Sequence, residues 1–112
     1  MHNLKNTIKT VIDEGRLGDP KFLRCVLQVS DDIKSLRSSL EILEELAEYW
    51  FDEAFVKRHR IGNENSSYIG EILRWDGGQG ALIVVNLAQS VSKRYIDLML
   101  VGSKGTLYHE SE

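Results

Sequence analysis

The run Ala81-Leu82-Ile83-Val84-Val85-Asn86-Leu87-Ala88 carries apolar side chains at both alternating parities. A strand of that kind is buried on both faces, or needs to be. The chain must therefore supply flanking strands, a covering layer for one face, and something to occupy the other. Two glycine clusters, Asp76-Gly77-Gly78-Gln79-Gly80 and Gly102-Ser103-Lys104-Gly105, punctuate this region. Glycine gives the positive φ values that tight connections require, so both clusters read as hairpin turns. The expected strands are Ser66–Trp75, Gly80–Ala88, Arg94–Val101 and Gly105–His109, consecutive and antiparallel.

The cover comes from upstream. Ile33, Leu36, Leu40, Leu43, Ala47 and Trp50 recur at a strict 3-4-3-4-3 spacing, which predicts a long helix over 31–50 lying across the sheet. Ile42, Leu46 and Tyr49 are expected to widen its apolar stripe. Ser30-Asp31-Asp32 suits the free amides and positive dipole end at the helix start. Glu41, Glu44, Glu45 and Glu48 are expected on the solvated side. Earlier still, Leu4, Ile8, Val11 and Ile12 predict a short amphipathic helix over Asn3–Glu14, stopped by Gly15 and Gly18-Asp19-Pro20. Lys21–Val29 alternates, with Leu23, Cys25, Leu27 and Val29 on one side and Arg24 and Gln28 on the other, the pattern of a half-buried strand. Phe51–Ile61 is read as a further strand, and Gly62–Asn65 as a polar connection.

At 112 residues the chain suits one domain with one modest core. A net charge of −3 offers no general attraction to nucleic acid or anionic membrane. The longest apolar run is far short of the roughly 20 residues that a membrane helix needs. Nothing at the N-terminus has the layout of a signal peptide, and the one cysteine, Cys25, cannot form an internal disulfide, so a cytoplasmic protein is expected.

No residue presents chemistry by itself. Lys57-Arg58-His59-Arg60 is the one basic cluster, and alternation on a strand would let at most two of these face one ligand. A charged edge strand is the expected reading, ahead of a phosphate or RNA site. His2, His59 and His109 lack metal-ligand spacing. Cys25 lies on the apolar parity of its strand and reads as buried filler. Gly77-Gly78-Gln79-Gly80 lies between strands, without the strand-then-helix context that aims amides at phosphate.

Three segments together resemble a known family. Lys9-Thr10-Val11-Ile12-Asp13-Glu14-Gly15-Arg16-Leu17-Gly18-Asp19-Pro20-Lys21-Phe22-Leu23-Arg24 resembles the helix-to-strand entry of the C-terminal domain of Gfo/Idh/MocA-type oxidoreductases. Ile72-Leu73-Arg74-Trp75-Asp76-Gly77-Gly78 is similar to a hairpin of that domain, and Ile96–Leu107 to its closing hairpin with the Gly-(Thr/Ser)-x-Gly turn. The nucleotide-binding half of that family, with its glycine-rich first turn and Glu-Lys-Pro motif, has no counterpart in the sequence. Where the family's Gly-Gly-x-x-x-Asp-x-Gly-x-His segment is expected, the chain reads Ser38-Ser39-Leu40-Glu41-Ile42-Leu43-Glu44-Glu45. Neither the aspartate nor the histidine is in place, so no catalytic, cofactor-binding or metal-binding residue carries over. The chain resembles a stand-alone remnant, or an excised piece, of the sheet domain.

The expected fold is α+β in two layers: a mainly antiparallel sheet, one long helix across one face, and a short N-terminal helix. The resemblance implies subunit contacts through the other face. Three readings follow. One is a non-catalytic oligomerisation module, homodimeric through the open face with Tyr95, Met99 and Val101 in the contact. Another is a sugar- or polyol-binding domain, with Tyr68, Arg74, Asn86, Tyr95 and Asp97 as polar contacts. The third is an accessory subunit for a separate nucleotide-binding partner. None of them requires a cofactor on this chain, and the chain is not expected to be an enzyme on its own.

Overall fold

The computed structural model describes residues 2–30, 34–63, 66–87 and 94–111. The first helix, α1, spans His2–Asp13. It ends where Gly15 takes a φ of 77° and donates its amide to the Ile12 carbonyl at 3.0 Å. Strand β1 (Pro20–Val29) follows, then helix α2 (Lys34–Phe51) and strands β2 (Lys57–Gly62), β3 (Tyr68–Arg74), β4 (Gly80–Leu87), β5 (Tyr95–Gly102) and β6 (Thr106–Ser111). They form one six-stranded sheet in the order β2-β3-β4-β1-β5-β6. Asp31, Asp32, Ile33, Asn65 and Ala88, which the sequence reading placed at the α2 start, in a connection and at a strand end, lie outside the described residues.

The sheet corrects the expectation of consecutive antiparallel strands. β4 and β5 do not pair; β1 lies between them, parallel to β4 (Cys25 opposite Ile83) and antiparallel to β5 (Cys25 opposite Leu98). The other pairs, β2/β3, β3/β4 and β5/β6, are antiparallel, so the sheet is mixed. A parallel neighbour requires a crossover, and the segment carrying α2 supplies it. The connection from β4 to β5 also lacks any glycine, in contrast to the β3–β4 and β5–β6 turns.

Side-chain parity divides the sheet. Leu23, Cys25, Leu27 and Val29 of β1, Ala81, Ile83 and Val85 of β4, Ile96, Leu98 and Leu100 of β5, and Ile69 and Leu73 of β3 are buried on one face. There they meet Leu36, Leu40, Leu43, Leu46, Ala47 and Trp50 of α2. Ile42 and Tyr49 are corrected: both are exposed, and the Tyr49 ring instead lies beneath the ammonium groups of Lys5 and Lys9 at 4.6 and 5.2 Å. α1 is tied to α2 through Trp50, whose indole N–H donates to the Lys5 carbonyl at 3.0 Å.

The expected strand over Phe51–Ile61 is shorter than read. Phe51 completes α2, and Asp52, at a φ of 57°, turns the chain out of the helix in the left-handed conformation usual after a helix end. Trp75 seals this corner: its indole N–H donates to Glu53 O at 2.7 Å, and its ring meets Phe51 edge-on at 4.5 Å.

Two of the motifs that carried the resemblance are partners in space. The turn between β5 and β6 docks on the loop between α1 and β1. Lys104 N donates to Leu17 O at 2.8 Å, Ser103 N to Asp19 O at 2.9 Å, and Asp19 N to Ser103 Oγ at 2.9 Å. Gly102 lies so close to Leu17 that a Cβ would collide with the Leu17 carbonyl oxygen. Among the described residues no helix is long and apolar enough to cross a membrane.

Candidate functional site

The face of the sheet opposite α2 is bare among the described residues. Register places its side chains in rows running across the strands. One row reads Arg74, Gly80, Phe22, Val101 and Thr106; the next reads His59, Ile72, Leu82, Arg24, Met99 and Tyr108. A third reads Ile61, Gly70, Val84, Val26, Asp97 and Glu110, and the last Tyr68, Asn86, Gln28 and Tyr95. The centre is aliphatic, with Leu82, Val84, Val26, Met99 and Ile72 partly exposed. Phe22, Tyr68 and Tyr108 stand further out, with Tyr108 71% exposed. Gly70 leaves room in this layer, since a Cβ there would press on Val84 Cγ2 at 3.3 Å.

All the residues proposed from the sequence for this face do lie on it. Tyr95, Met99 and Val101 share the open parity of β5, while Ile96, Leu98 and Leu100 point to the core. Tyr68, Asn86 and Tyr95 fall in one row, joined by Gln28, which the sequence reading had not included. Asp97 is one row away and holds Arg24 by an ion pair of 3.5 Å. Arg74 is set apart, at the opposite end of β3 from Tyr68. The Tyr95 hydroxyl donates to Glu110 Oε2 at 2.9 Å, and that bond to a carboxylate raises the phenol's pKa. Two polar atoms on the face are buried yet have no hydrogen-bond partner among the described residues: Asn86 Oδ1 and Arg24 Nε.

A second polar constellation lies beneath the other face. β2 is an edge strand, and its arginines point to the α2 side, opposite Leu73 and Glu71 of β3. Glu71 is fully buried. Its Oε1 accepts from Arg60 Nε at 2.9 Å and Nη2 at 2.6 Å, and lies 3.2 Å from Arg58 Nε. Glu44 of α2 joins them, its Oε2 accepting from Arg58 Nη2 at 2.7 Å. Glu44 was expected on the solvated side of the helix; it is instead only 8% exposed. Burial and the neighbouring Glu71 push its pKa up to about 7, against the opposing pull of Arg58. Strand parity, which puts Arg58 and Arg60 of Lys57-Arg58-His59-Arg60 on one face, could have pointed to such a cluster, and a glutamate inside the apolar strand Ile69–Leu73 was the matching signal.

Cys25 is fully buried, and burial, with a smaller contribution from Asp97, pushes its thiol up to about 12, where it has no nucleophilic character. Among the described residues no group of His, Cys, Asp and Glu is arranged to hold a metal ion.

No protein-family model matches the sequence, and no curated protein does. Solved structures do match by shape. One is a probable dehydrogenase from Thermotoga maritima, with a TM-score of 0.80, 16% identity, and cover of 96% of this chain and 38% of that one. Another is myo-inositol 2-dehydrogenase from Lactobacillus plantarum (TM-score 0.68, 14% identity, 94% and 38%). A third is scyllo-inositol dehydrogenase from Lactobacillus casei with bound NAD(H) and scyllo-inositol (TM-score 0.68, 14% identity, 94% and 38%). This is the sheet-domain fold of Gfo/Idh/MocA-type dehydrogenases. At these identities the likeness is one of fold, and the chain spans 38% of the length of each of these three proteins. In this chain the segment Ser38–Glu45 lies inside α2. Ser39, Leu40, Leu43 and Glu44 of that segment are buried, and it holds no aspartate or histidine.

Proposed function

We propose that this chain is a non-catalytic oligomerisation module related to the Gfo/Idh/MocA-type oxidoreductases, and that it forms a homodimer through its open sheet face. The observation that carries the reading is the aliphatic band of Ile72, Leu82, Val84, Val26 and Met99, contiguous across four strands and flanked by Phe22, Tyr68 and Tyr108. A patch of that extent is uncommon on a monomer's surface. A two-fold axis lets one patch cover its own copy, with sheets stacked about 10 Å apart. Tyrosine and methionine are also side chains enriched in interface cores. Sedimentation at micromolar concentration tests it. The wild type is expected to run as a dimer and Met99→Glu as a folded monomer, since Met99 points away from the core. A wild-type monomer, or a Met99→Glu dimer, overturns the proposal.

A second reading is favoured by the unpartnered Asn86 Oδ1 within the row Tyr68, Asn86, Gln28 and Tyr95. In that reading the row binds a polyol, the compound class named for two of the similar dehydrogenases, on this chain or beside a separate nucleotide-binding partner. A melting temperature raised by scyllo-inositol in the wild type, and unmoved in Asn86→Ala, is the expected outcome. No shift in the wild type ends this reading.

A further inference from the structure

Glu71 presents an unbalanced account of its two oxygens. Oε1 receives all the guanidinium contacts, from Arg58 Nε and from Arg60 Nε and Nη2. Oε2 is buried without a hydrogen-bond partner among the described residues. Buried carboxylate oxygens rarely stay unfilled. The carboxyl of Glu44, which α2 brings down onto the sheet edge, is held beside Glu71 by one guanidinium. Arg58 Nη2 lies 2.7 Å from Glu44 Oε2 and Arg58 Nε 3.2 Å from Glu71 Oε1, and the two carboxyls are hydrogen-bonding neighbours. Two ionised carboxylates in this position would repel each other and leave that oxygen without a donor. One proton between them removes both difficulties.

We propose that Glu44 and Glu71 share one proton, donated by the Glu44 carboxyl to Glu71 Oε2, and that this hydrogen bond latches the β2–β3 edge of the sheet to α2. The surroundings favour it. From β2 the pair is faced by Arg58 and Arg60, which hold the remaining negative charge on Glu71 Oε1. On β3 itself the flanking core residues are Ile69 and Leu73, and the next strands in the same row present Ile83 and the neutral thiol of Cys25. Along α2, Glu48 is one turn away with Oε2 occupied by the Phe55 amide at 3.2 Å, and Glu41 is engaged with Arg37 at 3.8 Å. None of these supplies a donor to Glu71 Oε2. The raised pKa of Glu44 agrees with the same arrangement and places loss of the latch near neutral pH. Above that pH the edge strand β2 is held by its ladder with β3 and by the arginine pairs alone.

The test follows the carboxyl carbons of Glu44 and Glu71 by NMR in the full chain between pH 4 and 9, with amide exchange on β2 corrected for intrinsic rates. The expected result is a coupled step of both resonances near neutrality and at least about tenfold faster β2 exchange above it. Glu44→Gln keeps a donor for Oε2, so its β2 protection is expected to stay high and flat with pH. Glu44→Ala removes the donor, so its protection is expected to be low throughout. The difference between wild type and Glu44→Gln isolates this carboxyl from every other group on β2, His59 on its open face included. Both carboxyls titrating as ordinary acids below pH 5 overturns the proposal. So does a Glu44→Gln variant that keeps the neutral step.

Discussion

Glu44 shows how one side chain sets a pH dependence with a definite sign. Its pKa rises from the ordinary 4.5 to about 7 on folding, chiefly by burial and then by Glu71. Between these two values the folded chain holds a proton that the unfolded chain has released. Stability therefore falls as pH rises through this window and is level above it. Arg58, 43% exposed at its side chain, conducts part of the field to solvent, so the loss is about 1–2 kcal/mol. Urea unfolding should show that loss in the wild type between pH 5 and pH 8, and Glu44→Gln should lack it. Such a residue is hard to read from sequence because it sits beside Leu43 at the margin of the helical stripe, where a half-turn decides between core and water. Ile42 and Tyr49, on the other margin, fail in the opposite direction and are exposed. The centre of the stripe, Leu36, Leu40, Leu43, Ala47 and Trp50, was legible because its 3-4 spacing fixes a face without knowing the partner.

Among the elements, β4 was legible as a strand needing cover on both faces, yet its neighbours were not. Apolar residues at both parities record burial alone, so parallel β1 and an antiparallel β5 were equal partners for it. What selects β1 is distant in sequence: α2 provides the crossover, and the Leu17-Gly18-Asp19 loop clasps the Gly102-Ser103-Lys104-Gly105 turn. The clasp fixes β1 beside β5 at the end where the strands meet the turn. Gly102 is the position where it has least room, because a Cβ would strike the Leu17 backbone oxygen and backbone cannot step aside as a side chain can. Gly102→Ala is expected to cost about 1–3 kcal/mol by urea unfolding. Gly105→Ala, whose Cβ would rest 3.7 Å from Arg16 O, is expected to cost under about 0.5 kcal/mol. Equal losses at the two glycines would mean that the clasp does not order the sheet.

Taken as a molecule, the chain shares its fold with part of proteins that include one solved with NAD(H), which raises the question of whether residues 1–112 bind a nicotinamide cofactor themselves. A dinucleotide pyrophosphate is held where a glycine-rich turn lets backbone amides at a helix N-terminus approach it closely. The passage from β1 into α2 is where a strand leads into a helix among the described residues, and its connection reads Ser30-Asp31-Asp32-Ile33. There is no glycine in that sequence, which a close approach of backbone amides to pyrophosphate calls for. The same four-residue sequence carries two aspartates, and like charges oppose the binding of a doubly charged pyrophosphate. The glycine turns at Asp76–Gly80 and Gly102–Gly105 join strand to strand, and that at Gly15–Gly18 leads from α1 into β1, so none of the three leads into a helix. Titration calorimetry of this chain with NAD and with NADP is therefore expected to give no saturable heat. Stoichiometric binding of either at micromolar affinity would mean that the cofactor is held by a surface other than a helix N-terminus. It would also displace the non-catalytic reading, because a cofactor bound at the open face would compete with a second copy for Leu82, Val84 and Met99.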